Sequence, residues 1–321
     1  MIPDSLKKML EKQQYAFIGR HSAIKICHWT KKSLLDEGVC YKQKFYGIQS
    51  HRCCQMSPSI GFCPNRCIFC WRPVEYTVGV APTAEVDDPK ELIKNAVLMQ
   101  RRQLVGFKGN PKTNMKKFTE AMEPMHFAIS LAGEPTAYPR LKELIEELHK
   151  LGKTTFVVSN GMFPERLAEI NPTQLYVSIS APNELLFNEI AQPQLKKGWN
   201  LLIKSLGVLK RKREETRTTL RITLIKERNM VEADNYARLI ELADPIFVEV
   251  KAYMHVGFSS YRLSPENMPS HNEVRDFAEK IAGFCNRKIV DESGPSRVVL
   301  LMKEEDFERR FICFKDGSPG L

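Results

Sequence analysis

Three cysteines, Cys63, Cys67 and Cys70, fall within eight residues of the stretch GFCPNRCIFC, and an aromatic residue, Phe69, stands just before the last. Clustered thiols of this kind hold metal or take part in chemistry when a chain stays in a reducing compartment. A structural zinc ion takes four ligands. The spacing Cys-x3-Cys-x2-Cys supplies three, with His51 nearby as a possible fourth. Zinc ribbons, however, use paired Cys-x2-Cys knuckles. Three thiolates on a 4Fe–4S cubane leave one iron with an open position, an arrangement for binding something to iron.

A second set lies upstream. Cys27, Cys40 and Cys53 are separated by twelve residues each, and Cys54 follows directly. The regular spacing points to a second three-cysteine site, with Cys54 an alternative to Cys53. Seven of the nine cysteines fall between Cys27 and Cys70; Cys285 and Cys313 are isolated and read as packing residues or bystanders.

The chain that must position these residues has 321 of them, 43% hydrophobic and 27% charged, enough for one large α/β domain or two small ones. No apolar run approaches the roughly 18 residues of a spanning helix. The start, MIPDSLKKMLEKQQYAF, lacks the apolar centre and cleavage site of a signal peptide. A soluble, cytoplasmic protein is expected. A net charge of +10 fits an anionic partner, nucleic acid first, although a basic proteome would produce the same surplus.

From Asp88 onward helical and strand patterns alternate. PKELIKNAVLMQRRQL (89–104) reads as a helix, with Asp88 as N-cap and Pro89 in the first turn. HFAISL, TTFVVSNG, QLYVSISAP, TTLRITLI and PIFVEVKAY read as strands, and a first strand is placed near 51–57. Between them, PRLKELIEELHKLG and EADNYARLIELA are helical, and QLKKGWNLLIKSLGVLKRK puts Trp199, Leu202, Ile203, Leu206 and Leu209 on one core-facing stripe. Alternation implies βαβ units and a parallel sheet. Six repeats fall short of the eight of a closed barrel, so an open, partial (β/α)6 barrel is expected. Residues 1–50 form an N-terminal extension carrying cysteines, 51–303 the barrel, and 304–321 a tail ending in DGSPGL. GFKGNPKTNMKKF and GFSSYRLSPENMPSHNEV read as loops or insertions.

CPNRCIFC resembles the motif of radical S-adenosylmethionine (SAM) enzymes. The resemblance implies a 4Fe–4S cluster on Cys63, Cys67 and Cys70, with the methionine part of SAM chelating the open iron and Phe69 near the adenine. Reductive cleavage of SAM then yields a 5′-deoxyadenosyl radical. SLAGEPT supports it: Gly133, Glu134 and Pro135 match the family's Gly-Gly-Glu-type motif for the SAM ammonium, with Ala132 in place of the first glycine. Asn160, Ser178 and Ser180 lie where family members hold ribose and carboxylate, although each serves equally as a loop cap.

Within that family the whole pattern, from about Tyr15 to Lys303, is similar to one branch, the 4-demethylwyosine synthases of tRNA wybutosine biosynthesis. The chain resembles the shorter archaeal form without a flavodoxin-like domain, which implies an external flavodoxin- or ferredoxin-like electron donor. The branch joins carbons two and three of pyruvate to N1-methylguanosine beside the anticodon of tRNA-Phe. The product is a tricyclic imidazopurine, and the pyruvate carboxyl carbon is lost. The resemblance further implies a second 4Fe–4S cluster on Cys27, Cys40 and Cys53, and it makes Lys42 a candidate for a Schiff base with pyruvate. Pyruvate chelated by the second cluster is the alternative, as is a lysine that only balances cluster charge. An unpaired anticodon base can be splayed into a pocket. RRQLVGFKGNPKTNMKK, with six cations and no acid, offers Lys108, Lys112, Lys116 and Lys117 as phosphate contacts. KRKREETRTTLR is a second basic run that reads more readily as a solvated helix end. A monomer is expected. Two other readings are a radical SAM enzyme acting on a peptide or small metabolite through an auxiliary cluster, and a zinc protein that binds RNA.

Overall fold

The computed structural model describes residues 2–82, 85–315, 318 and 319. Its strands are β1 (Ala16–Phe17), β2 (Ala23–Ile24), β3 (Cys53–Ser57), β4 (His126–Ile129), β5 (Thr154–Ser159), β6 (Gln174–Ile179), β7 (Arg217–Leu224), β8 (Phe247–Ala252), β9 (Lys288–Ser293) and β10 (Val298–Met302). The principal helices are α1 (Asp4–Lys12), α2 (His28–Leu34), α3 (Tyr41–Tyr46), α4 (Pro89–Leu104), α5 (Met115–Ala121), α6 (Leu141–Lys150), α7 (Pro164–Glu169), α8 (Glu184–Ala191), α9 (Gly198–Arg211), α10 (Ala233–Ala243) and α11 (His271–Ala282).

One ten-stranded sheet runs β1-β2-β3-β4-β5-β6-β7-β8-β10-β9. Its six central strands, β3 to β8, are parallel, and the pairs at each flank are antiparallel. This is the expected partial barrel of six, left open and lengthened at both edges. The flanking strands are short or interrupted by turns, so they carry little of the periodic signal from which strands are recognised.

The helices form as the sequence dictates. Asp88 caps α4, its carboxylate accepting from the Lys90 and Glu91 backbone N–H groups, and Pro89 occupies the first turn. Leu92, Ile93, Ala96 and Leu104 make its buried face. On α9, Leu202, Leu206 and Leu209 are fully buried while Trp199 and Ile203 pack at the margin. Each such leucine contributes about 1.5–3 kcal/mol on burial.

Strand alternation divides the barrel wall. On β6, Leu175, Val177 and Ile179 join the helix-facing core, and Tyr176 and Ser178 face the interior. On β7 and β8 the interior residues are Arg221, Thr223, Glu249 and Lys251. A second core fills the end of the barrel where the strands begin: Tyr41, Phe45 and Tyr46 of α3 pack there on Phe156, Tyr176, Phe247 and Leu300. That plug fixes α3, and with it Lys42.

Residues 304–312, expected in a tail, are packed instead. Asp306 is buried and binds Arg213 at 2.8 Å, and Ile312 joins the plug core. The same contact makes KRKREETR structural rather than free for RNA, since Lys212 is also buried, 2.6 Å from Asn171 Oδ1. Of the final residues, Phe314–Lys315 pair antiparallel with Ser318–Pro319, while Asp316, Gly317, Gly320 and Leu321 lie outside the described residues.

Candidate active site

The loop after β3 carries the first triplet. Cys63, Cys67 and Cys70 all line one cavity of about 70 Å³, together with Gly133, Ala132, Asn65 and Arg72. Burial pushes the Cys63 thiol up to about 12, with the Glu134 carboxylate adding to the effect, and raises Cys67 well above its ordinary value. Thiolates here therefore need a cationic group between them. Among the described residues, no three His, Cys, Asp or Glu side chains converge as around one metal ion. A cubane would give each of the three thiolates its own iron. His51, the possible zinc ligand, is 2.6 Å from Glu120.

Gly133 sits at φ +68°, and a Cβ there would overlap the Ser59 carbonyl oxygen and lie 2.6 Å from that of Phe62. Glu134 is buried, and burial raises its pKa. Its carboxylate accepts from the Thr136 N–H and hydroxyl and from the Asn160 N–H at 2.8 Å. It thus braces the strand-end loops, a structural duty beyond the ammonium contact expected from the motif. Pro135 opens the short turn that follows, and the Asn160 amide reaches Cys63 Sγ at 3.5 Å.

Cys27, Cys40 and Cys53 gather at the opposite end of β3. Each thiol is raised by burial, Cys40 to about 11, and the three are near enough to influence one another's charge. Cys54 points the other way, fully buried in the helix-facing core. Strand alternation therefore separates two neighbours that the sequence left equivalent. Cys285 donates to the Ile281 carbonyl, and Cys313 is exposed, both far from either triplet in the chain.

Lys42 is 8% exposed beside the second triplet, its Nζ 4.7 Å from the Phe156 ring centroid and 4.6 Å from that of Tyr176. Burial lowers its pKa, and the Arg221 charge adds to this. Glu249, 0% exposed, accepts from Tyr41 at 3.0 Å, Tyr46 at 2.7 Å and Arg221 at 2.9 Å. Burial works against the Glu249 carboxylate, but Arg221 and Lys42 override it and hold its pKa below the usual range.

Between the triplets opens a cavity of about 530 Å³. Phe69 and Trp71 line it from the loop side, Cys27 and His28 from α2, and Ser178, Arg221 and Lys251 from the wall. Ser180 lies one layer beyond, buried, its carbonyl accepting from Asn229. Lys42 does not line this cavity; it sits at the level of Tyr176, one layer nearer the strand starts.

Sequence reasoning missed Arg221, Glu249, Lys251 and Arg262. The first three were visible as charges inside strands covered on both faces, LRITL and VEVKA. Arg262 carries no such signal: from the loop after β8 it donates to the carbonyls of Ile68 (3.0 Å) and Cys70 and pins the first cysteine loop. Gly257 at φ +60° and the Phe258 N–H, 3.0 Å from the Trp71 carbonyl, bring the two loops together.

The proposed phosphate-contacting segment is ordered rather than a mobile loop. A 3-10 turn spans Val105–Gly109, and α5 buries Phe118 against Ile26, Leu34 and Leu104. Lys108, Lys112 and Lys116 are exposed, whereas Lys117 pairs with Asp36.

An open barrel of six parallel strands with three cysteines in the loop beyond the first defines a radical SAM enzyme. A family model described as the Radical SAM superfamily matches residues 57–240, and one described as wyosine base formation matches 242–303. The chain is 48% identical to the S-adenosyl-L-methionine-dependent tRNA 4-demethylwyosine synthase of Pyrococcus abyssi, over 95% of this chain and 90% of that one. It is 42% identical to the protein of that name from Methanocaldococcus jannaschii, over 95% and 97%. A solved structure of TYW1 with a lysine-pyruvate adduct bound superposes with a TM-score of 0.86 at 40% identity, covering 97% of this chain and 98% of that one. An archaeal TYW1 crystal structure gives 0.79 at 36%, covering 95% and 98%. The chain belongs to the family of S-adenosyl-L-methionine-dependent tRNA 4-demethylwyosine synthases, radical SAM enzymes of tRNA modification. SAM and a 4Fe–4S cluster go with that membership. No helix among the described residues is long and apolar enough to cross a membrane.

Proposed function

We propose that this chain condenses pyruvate with N1-methylguanosine beside the anticodon of tRNA-Phe, using two 4Fe–4S clusters at opposite ends of β3. Cys63, Cys67 and Cys70 would hold the first, and Cys27, Cys40 and Cys53 the second. When bound, the first cluster with SAM supplies a 5′-deoxyadenosyl radical. Phe69 would pack on the adenine, the Gly133–Pro135 turn would seat the methionine part, and Asn160, Ser178 and Ser180 would offer polar contacts.

The observation that carries the reading is Lys42, an enclosed amine between two aromatic faces and beside the second triplet. Its amine adds to the ketone of pyruvate, and water leaves as the imine forms. Phe156 and Tyr176 then shield that bond from hydrolysis. The lysine-pyruvate adduct named for the TYW1 structure supports this choice over pyruvate held by the second cluster alone. The exposed Lys108, Lys112 and Lys116 would meet tRNA phosphates. An external flavodoxin- or ferredoxin-like donor would supply electrons, and the protein would act as a cytoplasmic monomer.

The test is an anaerobic reaction of reconstituted protein with SAM, reductant, pyruvate and tRNA bearing N1-methylguanosine. The tricyclic base should form, and only with all four present. Cyanoborohydride added with labelled pyruvate should fix label on Lys42. Label elsewhere, or product formation undiminished in Lys42→Met, would overturn the imine.

A further inference from the structure

Arg221 and Lys42 share one ring. Arg221 Cζ lies 4.7 Å from the Tyr176 centroid and Lys42 Nζ 4.6 Å from it. The guanidinium spends Nε and Nη2 on Glu249 and Tyr41. Its Nη1 has no hydrogen-bond partner among the described residues, and Arg221 opens into the central cavity. Lys251 lines the same wall. Its Nζ donates to the Ser296 carbonyl at 2.6 Å and pairs with no carboxylate among the described residues, and burial pushes its pKa down to about 8. Among the described residues no acidic side chain lines the cavity, and the nearby Glu249 is already fully paired. Beyond the thiolates of the second triplet, Arg221 Nη1 is left open to an anion entering the cavity.

Resting on the reading of Lys42 as the amine that receives the keto group, we propose that Arg221 and Lys251 form the subsite for the carboxylate of the 2-oxo acid. In such an acid the carboxylate is one bond from the carbon that the amine attacks. A molecule with that carbon at Lys42 therefore brings its negative charge to the Tyr176 ring that Arg221 shares, where Arg221 Nη1 has no partner among the described residues. Arginine and lysine suit the task differently. The fork of Arg221 is fixed by Glu249 and Tyr41, so it orients the carboxylate, and Lys251 adds charge from the cavity side. The same cations could bind a tRNA phosphate or the SAM carboxylate. Depth argues against the phosphate, since the Arg221 side chain is only 17% exposed inside the barrel. Ser178, in register with Arg221, borders both sites, so SAM affinity is measured beside pyruvate labelling to separate the two.

The experiment measures labelled pyruvate fixed by cyanoborohydride as pyruvate is varied, in wild type, Lys251→Gln and Arg221→Lys. Half-saturation should rise about tenfold or more in each variant, the loss of a charge-assisted hydrogen bond. The preference for pyruvate over methyl pyruvate should shrink by a similar factor. SAM affinity and the salt dependence of tRNA binding should not move. Unchanged half-saturation, or an effect confined to SAM or to tRNA, would overturn the subsite. Arg221→Lys leaves Glu249 partly unpaired; if it fails to fold, Lys251→Gln decides alone. If wild type fixes no label, the imine reading has failed, and pyruvate binding by calorimetry then tests the subsite separately: equal affinity in wild type and Lys251→Gln sinks it.

Discussion

Cys63, Cys67 and Cys70 come from one loop of eight residues, while Cys27, Cys40 and Cys53 arrive from three separate elements. The first socket is walled by apolar residues, by backbone and by Asn65 and Arg72, with Gly133 against two carbonyls. The second adjoins a charged layer of Lys42, Arg221 and Glu249 at the plugged end of the barrel. A site built from local sequence can be moved between folds intact. A site assembled by a plug helix and a strand start depends on the whole barrel, and its charged neighbours come from strands remote in the chain. The difference fits a division of labour in which one end generates a radical and the other holds the molecule it attacks.

The largest test removes each triplet in turn. Alanine at Cys63, Cys67 and Cys70 should abolish both SAM cleavage and product, and alanine at Cys27, Cys40 and Cys53 should abolish product while sparing SAM cleavage. Either change should lower bound iron by about half, given two cubanes. Full iron in the second variant would erase the second cluster. Cys54→Ala should keep all its iron and cost only packing, about 1 kcal/mol or somewhat more in a denaturant series.

A smaller effect is expected at Gly133→Ala. The left-handed backbone alone costs about 1–3 kcal/mol for a residue with a side chain, and the new methyl meets the Ser59 and Phe62 carbonyls. The variant should lose first-cluster iron and SAM binding before it loses pyruvate labelling at Lys42. Parallel loss of both would show that the two ends are not separable.

The mildest change is at the surface. Lys108, Lys112 and Lys116 to alanine should each reduce the slope of log tRNA affinity against log salt by roughly 0.7–0.9 if they touch phosphates. Lys117→Ala should change the slope least, because Asp36 already neutralises it. Equal slopes for all variants would leave these lysines as solvated surface. The half-buried Lys25 at the cavity rim would then be examined for the RNA path.

Periodicity and spacing carried much of this protein in the sequence alone. Six alternating strands and helices, the Asp88 cap and the loop of Cys63 to Cys70 are all local patterns, and local patterns survive without knowing what packs where. The upstream cysteines were legible as a set because their spacing is regular, but the choice between Cys53 and Cys54 was not. Side chains alternate across a strand, so only the pairing of β3 with β2 and β4 decides which sulfur faces the barrel interior. Lys42 was legible as a lysine near cysteines; its aromatic enclosure was not. Arg221, Glu249 and Lys251 come from strands far from Lys42 in the chain, and they meet it only because α3 plugs the barrel. The ordered fold of the Lys108–Lys117 segment and the packing of 304–312 likewise follow from apolar partners, Ile26 and Leu104 for one and the plug core for the other, that lie elsewhere in the sequence. Local sequence thus determined which residues could ligate and which segments would be strands or helices. The curling of the open barrel around its plug helix decided which charges share a cavity, because that depends on contacts between residues more than a hundred positions apart.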